Sequence, residues 1–98
     1  MKRNYITCKS VYFYSEVDEA MFFTWIKNIS CIQKTEGAGD ELYLNLVDRE
    51  LTYDEMKNLI AFLYRYKIKM DQLQSFVTEK NRAAVEPWKK QIYKTIKN

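Results

Sequence analysis

The clearest pattern in the chain lies between Glu41 and Val47. Leu42, Leu44 and Leu46 alternate with Tyr43, Asn45 and Val47, the period-two signature of a strand with one buried face. Just before it, Thr35-Glu36-Gly37-Ala38-Gly39-Asp40 holds both glycines of the protein, and Ser30 to Lys34 reads as a short strand. Strand, glycine-containing loop and strand predict a hairpin. A further extended segment is predicted over Lys2–Tyr14. There Tyr5, Ile6, Thr7, Val11, Tyr12, Phe13 and Tyr14 are β-branched or aromatic, with a bend or bulge at Lys9-Ser10.

Elsewhere the period is helical. Ser15, with Asp18 three residues on, resembles a capping box and opens a helix over Glu16–Asn28, whose arc is Val17, Met21, Phe22, Trp25, Ile26 and Ile29. Thr52-Tyr53-Asp54-Glu55 is a full capping box, with Leu51 and Met56 at the hydrophobic-staple positions. Met56, Leu59, Ile60 and Leu63 form the stripe of this second helix, widened by Phe62 and Tyr66. A turn is expected near Lys67–Lys69, then a third helix from Met70 to Glu79 burying Leu73, Phe76 and Val77. Asn81–Glu86 reads as a polar connection. Pro87 suits the first turn of a fourth helix carrying Trp88, Ile92 and Ile96.

The predicted order is β-α-β-β-α-α-α, an α+β fold in which a small three-stranded antiparallel sheet packs with about four helices. Ninety-eight residues make one domain spanning 1–98, and 47% hydrophobic with 30% charged residues is a folding composition. Only two Gly and one Pro argue against an all-β fold, which needs many turn residues. Leu44, Leu46, Leu59, Ile60, Leu63 and Trp25 are the expected core.

Histidine is absent. Its absence removes the commonest general base and metal ligand and every Ser-His or Cys-His pair. Cys8 and Cys31 form no CxxC and lack a base, so they are expected to be buried, reduced thiols. Asp48-x-Glu50 fits no calcium loop. The chain therefore reads as a non-enzyme with no cofactor, metal or small-molecule substrate. It has no continuous apolar run of signal-peptide or membrane-span type, so a cytoplasmic location without membrane partners is expected.

Charge is more informative. Residues 36–55 hold seven acids (Glu36, Asp40, Glu41, Asp48, Glu50, Asp54, Glu55) against one base, Arg49, whereas residues 56–98 hold ten bases against three acids. Such asymmetry bears on partners rather than on fold. An acidic surface can present itself to a basic protein as nucleic acid does and steer the encounter. Asp54 and Glu55 are equally explained by the helix N-terminus they sit on. The basic half offers a second reading. Lys57, Arg65, Lys67, Lys69, Lys80 and Arg82, with Tyr64 and Tyr66, interleave charge and rings as single-strand-binding surfaces do, or they simply cover the outer faces of amphipathic helices.

The stretch Leu59-Ile60-Ala61-Phe62-Leu63-Tyr64-Arg65-Tyr66-Lys67-Ile68-Lys69-Met70-Asp71-Gln72-Leu73-Gln74-Ser75-Phe76, with Asn81-Arg82 and Trp88, resembles a family of small bacterial immunity-type proteins of contact-dependent inhibition and polymorphic toxin systems. The upstream order is also similar: an aromatic strand, a helix like Met21-Phe22-Phe23-Thr24-Trp25-Ile26, a glycine turn and a Leu-rich strand. The chain departs from the family pattern at Lys67, where a Gly is expected, at Lys69, where an N-cap Asp is expected, and at Ala83-Ala84-Val85, where an aromatic pair is expected. The resemblance implies a non-enzymatic inhibitor of one cognate toxin domain; the acidic stretch makes a nuclease the expected class, and a nucleic-acid-binding or regulatory module using the basic helices ranks second. The expected contact surface is Glu36, Asp40, Glu41, Asp48, Glu50, Asp54 and Glu55, with Tyr43 as an aromatic anchor.

Overall fold

Antiparallel pairing around the Leu-rich strand organises the chain. The computed structural model describes residues 4–93. In chain order it contains β1 (Tyr5–Lys9), α1 (Glu16–Lys27), β2 (Ile32–Ala38), β3 (Glu41–Leu46) and α2 (Tyr53–Arg65). A 3-10 segment (Met70–Phe76) follows, then α3 (Arg82–Val85), a 3-10 turn (Glu86–Trp88) and α4 (Lys89–Ile92). The fold is α+β, and the three strands lie in the order β1-β3-β2, all antiparallel. β3, the strand with the cleanest alternation, is the central one.

Leu44 and Leu46 of β3 and Ile6 and Cys8 of β1 are buried on one face of the sheet. Met56, Leu59, Ile60, Phe62 and Leu63 of α2 complete the core with them, and α1 adds Phe22 and Ile26. Rings carry much of the α1–α2 packing: Phe22 lies 5.0 Å from Phe62 and 4.8 Å from Tyr66, and Trp25 lies 5.4 Å from Phe62. Of the residues expected to be buried, Trp25 and Val77 are half-buried instead.

The capping box at Thr52 forms in full. Thr52 Oγ1 accepts from the Glu55 N–H at 3.1 Å, and the Glu55 carboxylate accepts from the Thr52 N–H at 2.9 Å. At Ser15 only half of the motif forms in place: its hydroxyl accepts from the Asp18 N–H, whereas the Asp18 carboxylate accepts from the Tyr14 N–H, one residue further back.

Several boundaries differ from the sequence expectation. β2 continues through Glu36 and Gly37 to Ala38, so the turn shrinks to Gly39-Asp40, with Gly39 at φ +64. β1 ends at Lys9 because Ser10 turns to φ +54, and Tyr12 and Tyr14 leave the sheet as exposed rings. Val17 and Met21 of α1 face solvent, because the helix meets the core along the line of Phe22 and Ile26. The expected third α-helix is a 3-10 segment ending at Phe76. Met70, Leu73 and Phe76, spaced by three, all fall on its buried side, the spacing a 3-10 helix eclipses.

Asn81–Glu86 is not a polar connection. Asn81 is fully buried, Ala84 and Val85 are core residues, and helix begins at Arg82. Lys94, Ile96 and Lys97, expected to extend the fourth helix, lie outside the described residues, as do Lys2 and Arg3. At the end of α2, the Ile68 N–H reaches the Leu63 carbonyl at 2.9 Å and the Lys67 N–H reaches that of Tyr64 at 3.2 Å. This is a Schellman cap, with Lys67 at φ +58 in the place where Gly is usual.

Candidate functional site

One face of the sheet packs on the core, and among the described residues no helix supplies a core contact to the other. Strand register decides what stands on that open face. Tyr5 pairs with Asn45, Thr7 with Tyr43 and Lys9 with Glu41, and on the other side Lys34 pairs with Asn45, Glu36 with Tyr43 and Ala38 with Glu41. Tyr43 is therefore at the centre of the face, with Glu36 beside it and Glu41 two residues along. Its ring meets Tyr5 edge-on, centroids 5.6 Å apart at 89°, and its hydroxyl donates to the Glu41 carboxylate. That bond and the neighbouring charge push the Tyr43 phenol above its usual range. Asn45 Nδ2 donates to Glu36 at 3.1 Å and Lys34 lies 3.3 Å from its other oxygen, which together hold the Glu36 carboxyl below its usual range. Asp40, in the turn, accepts from the Ser10 hydroxyl at 2.8 Å and its carbonyl accepts from the Ser10 N–H at 2.9 Å.

The eight candidate residues thus divide. Glu36, Asp40, Glu41 and Tyr43 gather at the hairpin end of the sheet. Asp48 and Glu50 are exposed in the β3–α2 connection, beyond the far end of β3, and Asp54 is exposed in the first turn of α2. Glu55 does not belong to the surface at all. It is 7% exposed, and its two oxygens accept from Arg49 at 2.9 and 2.9 Å, from the Ser30 hydroxyl at 3.0 Å and from the Thr52 N–H at 2.9 Å. Its carboxylate is committed to tying the β3–α2 connection to α2 and to the α1–β2 connection. Tyr5 and Lys9 complete the open face. The alternation of β1 with β3 is the signal that places them there.

The basic residues also divide. Arg65 and Lys67 line a cleft of about 380 Å³ together with Lys9, Tyr12, Tyr14 and Asp18. Lys67 and Lys9 also line an adjoining cleft of about 500 Å³ with Lys69 and Gln72. Neither cleft is lined by Lys57, Lys80 or Arg82. The Arg65 guanidinium lies over the Trp25 ring at 6.0 Å, Lys57 lies over Tyr53 at 5.5 Å, and Arg82 pairs with Glu79 at 3.3 Å. Tyr66 is packed into the α1–α2 rings, and the Tyr64 ring lies tilted against Trp88, centroids 4.9 Å apart.

Cys8 and Cys31 are free and buried, and burial pushes both thiols up to about 12, which suppresses the thiolate that nucleophilic chemistry requires. Among the described residues no cluster of three or more acidic or thiol groups could hold a metal ion, and no helix is long and apolar enough to cross a membrane.

Comparisons with protein-family models, with curated proteins and with solved structures give no match for this chain.

Proposed function

We propose that this chain is an immunity-type inhibitor that binds a cognate toxin domain, of the nuclease class, and covers its active or substrate-binding site. The observation that carries this reading is the open sheet face: a Tyr5–Tyr43 ring pair with Glu36 and Glu41 beside it on paired strands and Asp40 in the adjoining turn. Aromatic anchors surrounded by polar groups are what dominate binding energy in protein interfaces, and a paired sheet holds them without an ordering cost. The carboxylates suit a cleft built to hold phosphates, and a nuclease presents such a cleft. Asp48, Glu50 and Asp54 extend the acidic character past the far end of β3 and act through steering rather than through the central contact. Binding of this kind needs no catalytic group on the inhibitor.

The test is co-expression with the protein encoded immediately upstream. The expected result is that the neighbour is toxic alone, harmless together with this chain, and co-purifies with it. A neighbour that is neither toxic nor bound removes the main support. The clefts that share Lys9 and Lys67 favour a second reading, a nucleic-acid-binding module. Its mark would be affinity for RNA or DNA that falls steeply with salt, and no binding at low salt eliminates it.

A further inference from the structure

The two edges of the sheet are treated differently. On β1 the outward-facing Thr7 is closed by a side chain: its N–H donates to Gln72 Oε1 at 2.8 Å, and Gln72 Nε2 donates to its carbonyl at 2.9 Å. One amide thus satisfies both main-chain groups of Thr7, the middle one of the outward-turned residues Tyr5, Thr7 and Lys9. Among the described residues β2 has no such cover. The Leu46 N–H donates to the Asn4 carbonyl and the Val47 N–H to the Cys31 carbonyl, so even-numbered β3 residues turn toward β1 and odd-numbered ones toward β2. Glu36 opposite Tyr43 and Ala38 opposite Glu41 are then the bonded pairs of the β2–β3 ladder, and the main-chain groups of Thr35 and Gly37 point away from the sheet. No described residue outside the ladder hydrogen-bonds to either. Gln33, Lys34, Glu36, Gly37 and Ala38 are all exposed. This is an open, proline-free edge, the kind that pairs with another chain unless something prevents it.

We propose that the free edge of β2 is an interface with a second copy of this chain, the two β2 strands pairing antiparallel about a twofold axis through Thr35. Charge selects both the occupant and the register. The outward-pointing residues must face one another, so the allowed registers step by two. If Thr35 faced the partner's Gly37, Glu36 would stand opposite the partner's Glu36. If Thr35 faced the partner's Gln33, Lys34 would stand opposite the partner's Lys34. Like charges directly opposite are destabilising.

Only with Thr35 facing the partner's Thr35 does Lys34 stand opposite the partner's Glu36, and twofold symmetry makes that contact twice. Within one chain Lys34 and Glu36 already reach each other at 3.3 Å on the same face, so their charged ends are placed to bridge sideways as well. Thr35 exchanges two N–H···O=C bonds with its own copy, and the bulge between Ile32 and Lys34 limits the regular pairing to the stretch centred on Thr35. The result joins two three-stranded sheets into one continuous sheet. The Tyr43 faces of both copies lie on the same side of that sheet. Glu36 is shared between that face and the pairing, whereas Lys34 and Thr35 serve the pairing alone.

The experiment is sedimentation equilibrium of the whole chain up to about 1 mM, since a contact resting on one strand ladder lies at the weak end of interface sizes. The expected result is a concentration-dependent mass rising toward two chains. Lys34→Glu alone and Glu36→Lys alone should each weaken association roughly tenfold or more, because each replaces two attractive contacts by two repulsive ones. The double variant Lys34→Glu/Glu36→Lys should restore it. Thr35→Pro, which removes an outward N–H and leaves the β2–β3 ladder intact, should abolish it with an unchanged circular dichroism spectrum. A single-chain mass throughout that range overturns the proposal. So does a dimer indifferent to Thr35→Pro and to both charge reversals. Failure of the double variant to recover overturns the register.

Discussion

Replacing Glu55 by Gln tests how the β3–α2 connection is held. The variant keeps the size of the side chain and an oxygen for the Thr52 N–H, and removes the charge that Arg49 grips with two bonds of 2.9 Å. That grip lowers the carboxyl from 4.5 to about 2, against the opposing effect of burial and with help from the Thr52 N–H and the Ser30 hydroxyl. Such a shift corresponds to about 3 kcal/mol at ~1.4 kcal/mol per unit. The Arg49 side chain is 51% exposed, so solvent screens part of this, and about 2 kcal/mol is the expected loss for Glu55→Gln at neutral pH. The folded-state value is the lower one, so the stabilisation is present in full above the unfolded value. It is lost as pH falls toward about 2. Urea denaturation of both proteins followed by circular dichroism, repeated from neutral pH down to about pH 2, reads the difference. It should hold to about pH 5 and then shrink toward zero. A difference that is constant across that range, or below about 0.5 kcal/mol at neutral pH, refutes the assignment of the stabilisation to the charged carboxylate.

Three further outcomes are expected. Lys67→Gly should stabilise the protein by about 0.5–1 kcal/mol in the same denaturation assay, because φ +58 at Lys67 suits Gly and strains any residue with a Cβ; a loss of stability would show that the Lys67 side chain contributes more than its backbone costs. Asn81→Ala should cost about 2–4 kcal/mol, since it strands the Leu51 and Phe76 carbonyls and the Thr78 N–H in a fully buried site; a loss below about 1 kcal/mol would contradict that role. Cys8 and Cys31 should react with a thiol reagent at neutral pH only as fast as the protein unfolds, so that the rate rises with urea, and rapid labelling of the native protein would contradict their burial.

Features set by neighbours in sequence were legible, and those set by distant partners were not. The Thr52 capping box needs only four residues, and it forms as read. The alternation in Glu41–Val47 marks a strand with one buried face, and that strand is the centre of the sheet. The 3-10 segment could not be told from α-helix, because Met70, Leu73 and Phe76 at i, i+3 and i+6 satisfy either period over so short a run. Gln72 and Asn81 stand out in sequence only as part of a resemblance. Their roles are to close an edge 65 residues away and to tie down a carbonyl 30 residues away, and neither partner is encoded locally. Of the acidic cluster, sequence proximity grouped Glu55 with the surface carboxylates. Only the fold turns it inward onto Arg49 and Ser30, while strand register brings Glu36, Glu41 and Tyr43 together with a residue as remote as Tyr5.

Calorimetric titration of the proposed toxin partner, the protein encoded immediately upstream, with this chain and two of its variants addresses the open-face contact most directly. Tyr43→Ala removes the central ring of that face, and a loss of about 2 kcal/mol or more, roughly thirtyfold in Kd, is expected with an unchanged fold by circular dichroism. Lys67→Ala alters the basic cleft on the other side of β1 and should leave the affinity within about threefold. An affinity indifferent to Tyr43→Ala and strongly reduced by Lys67→Ala would contradict the open face and move the interface to the basic clefts.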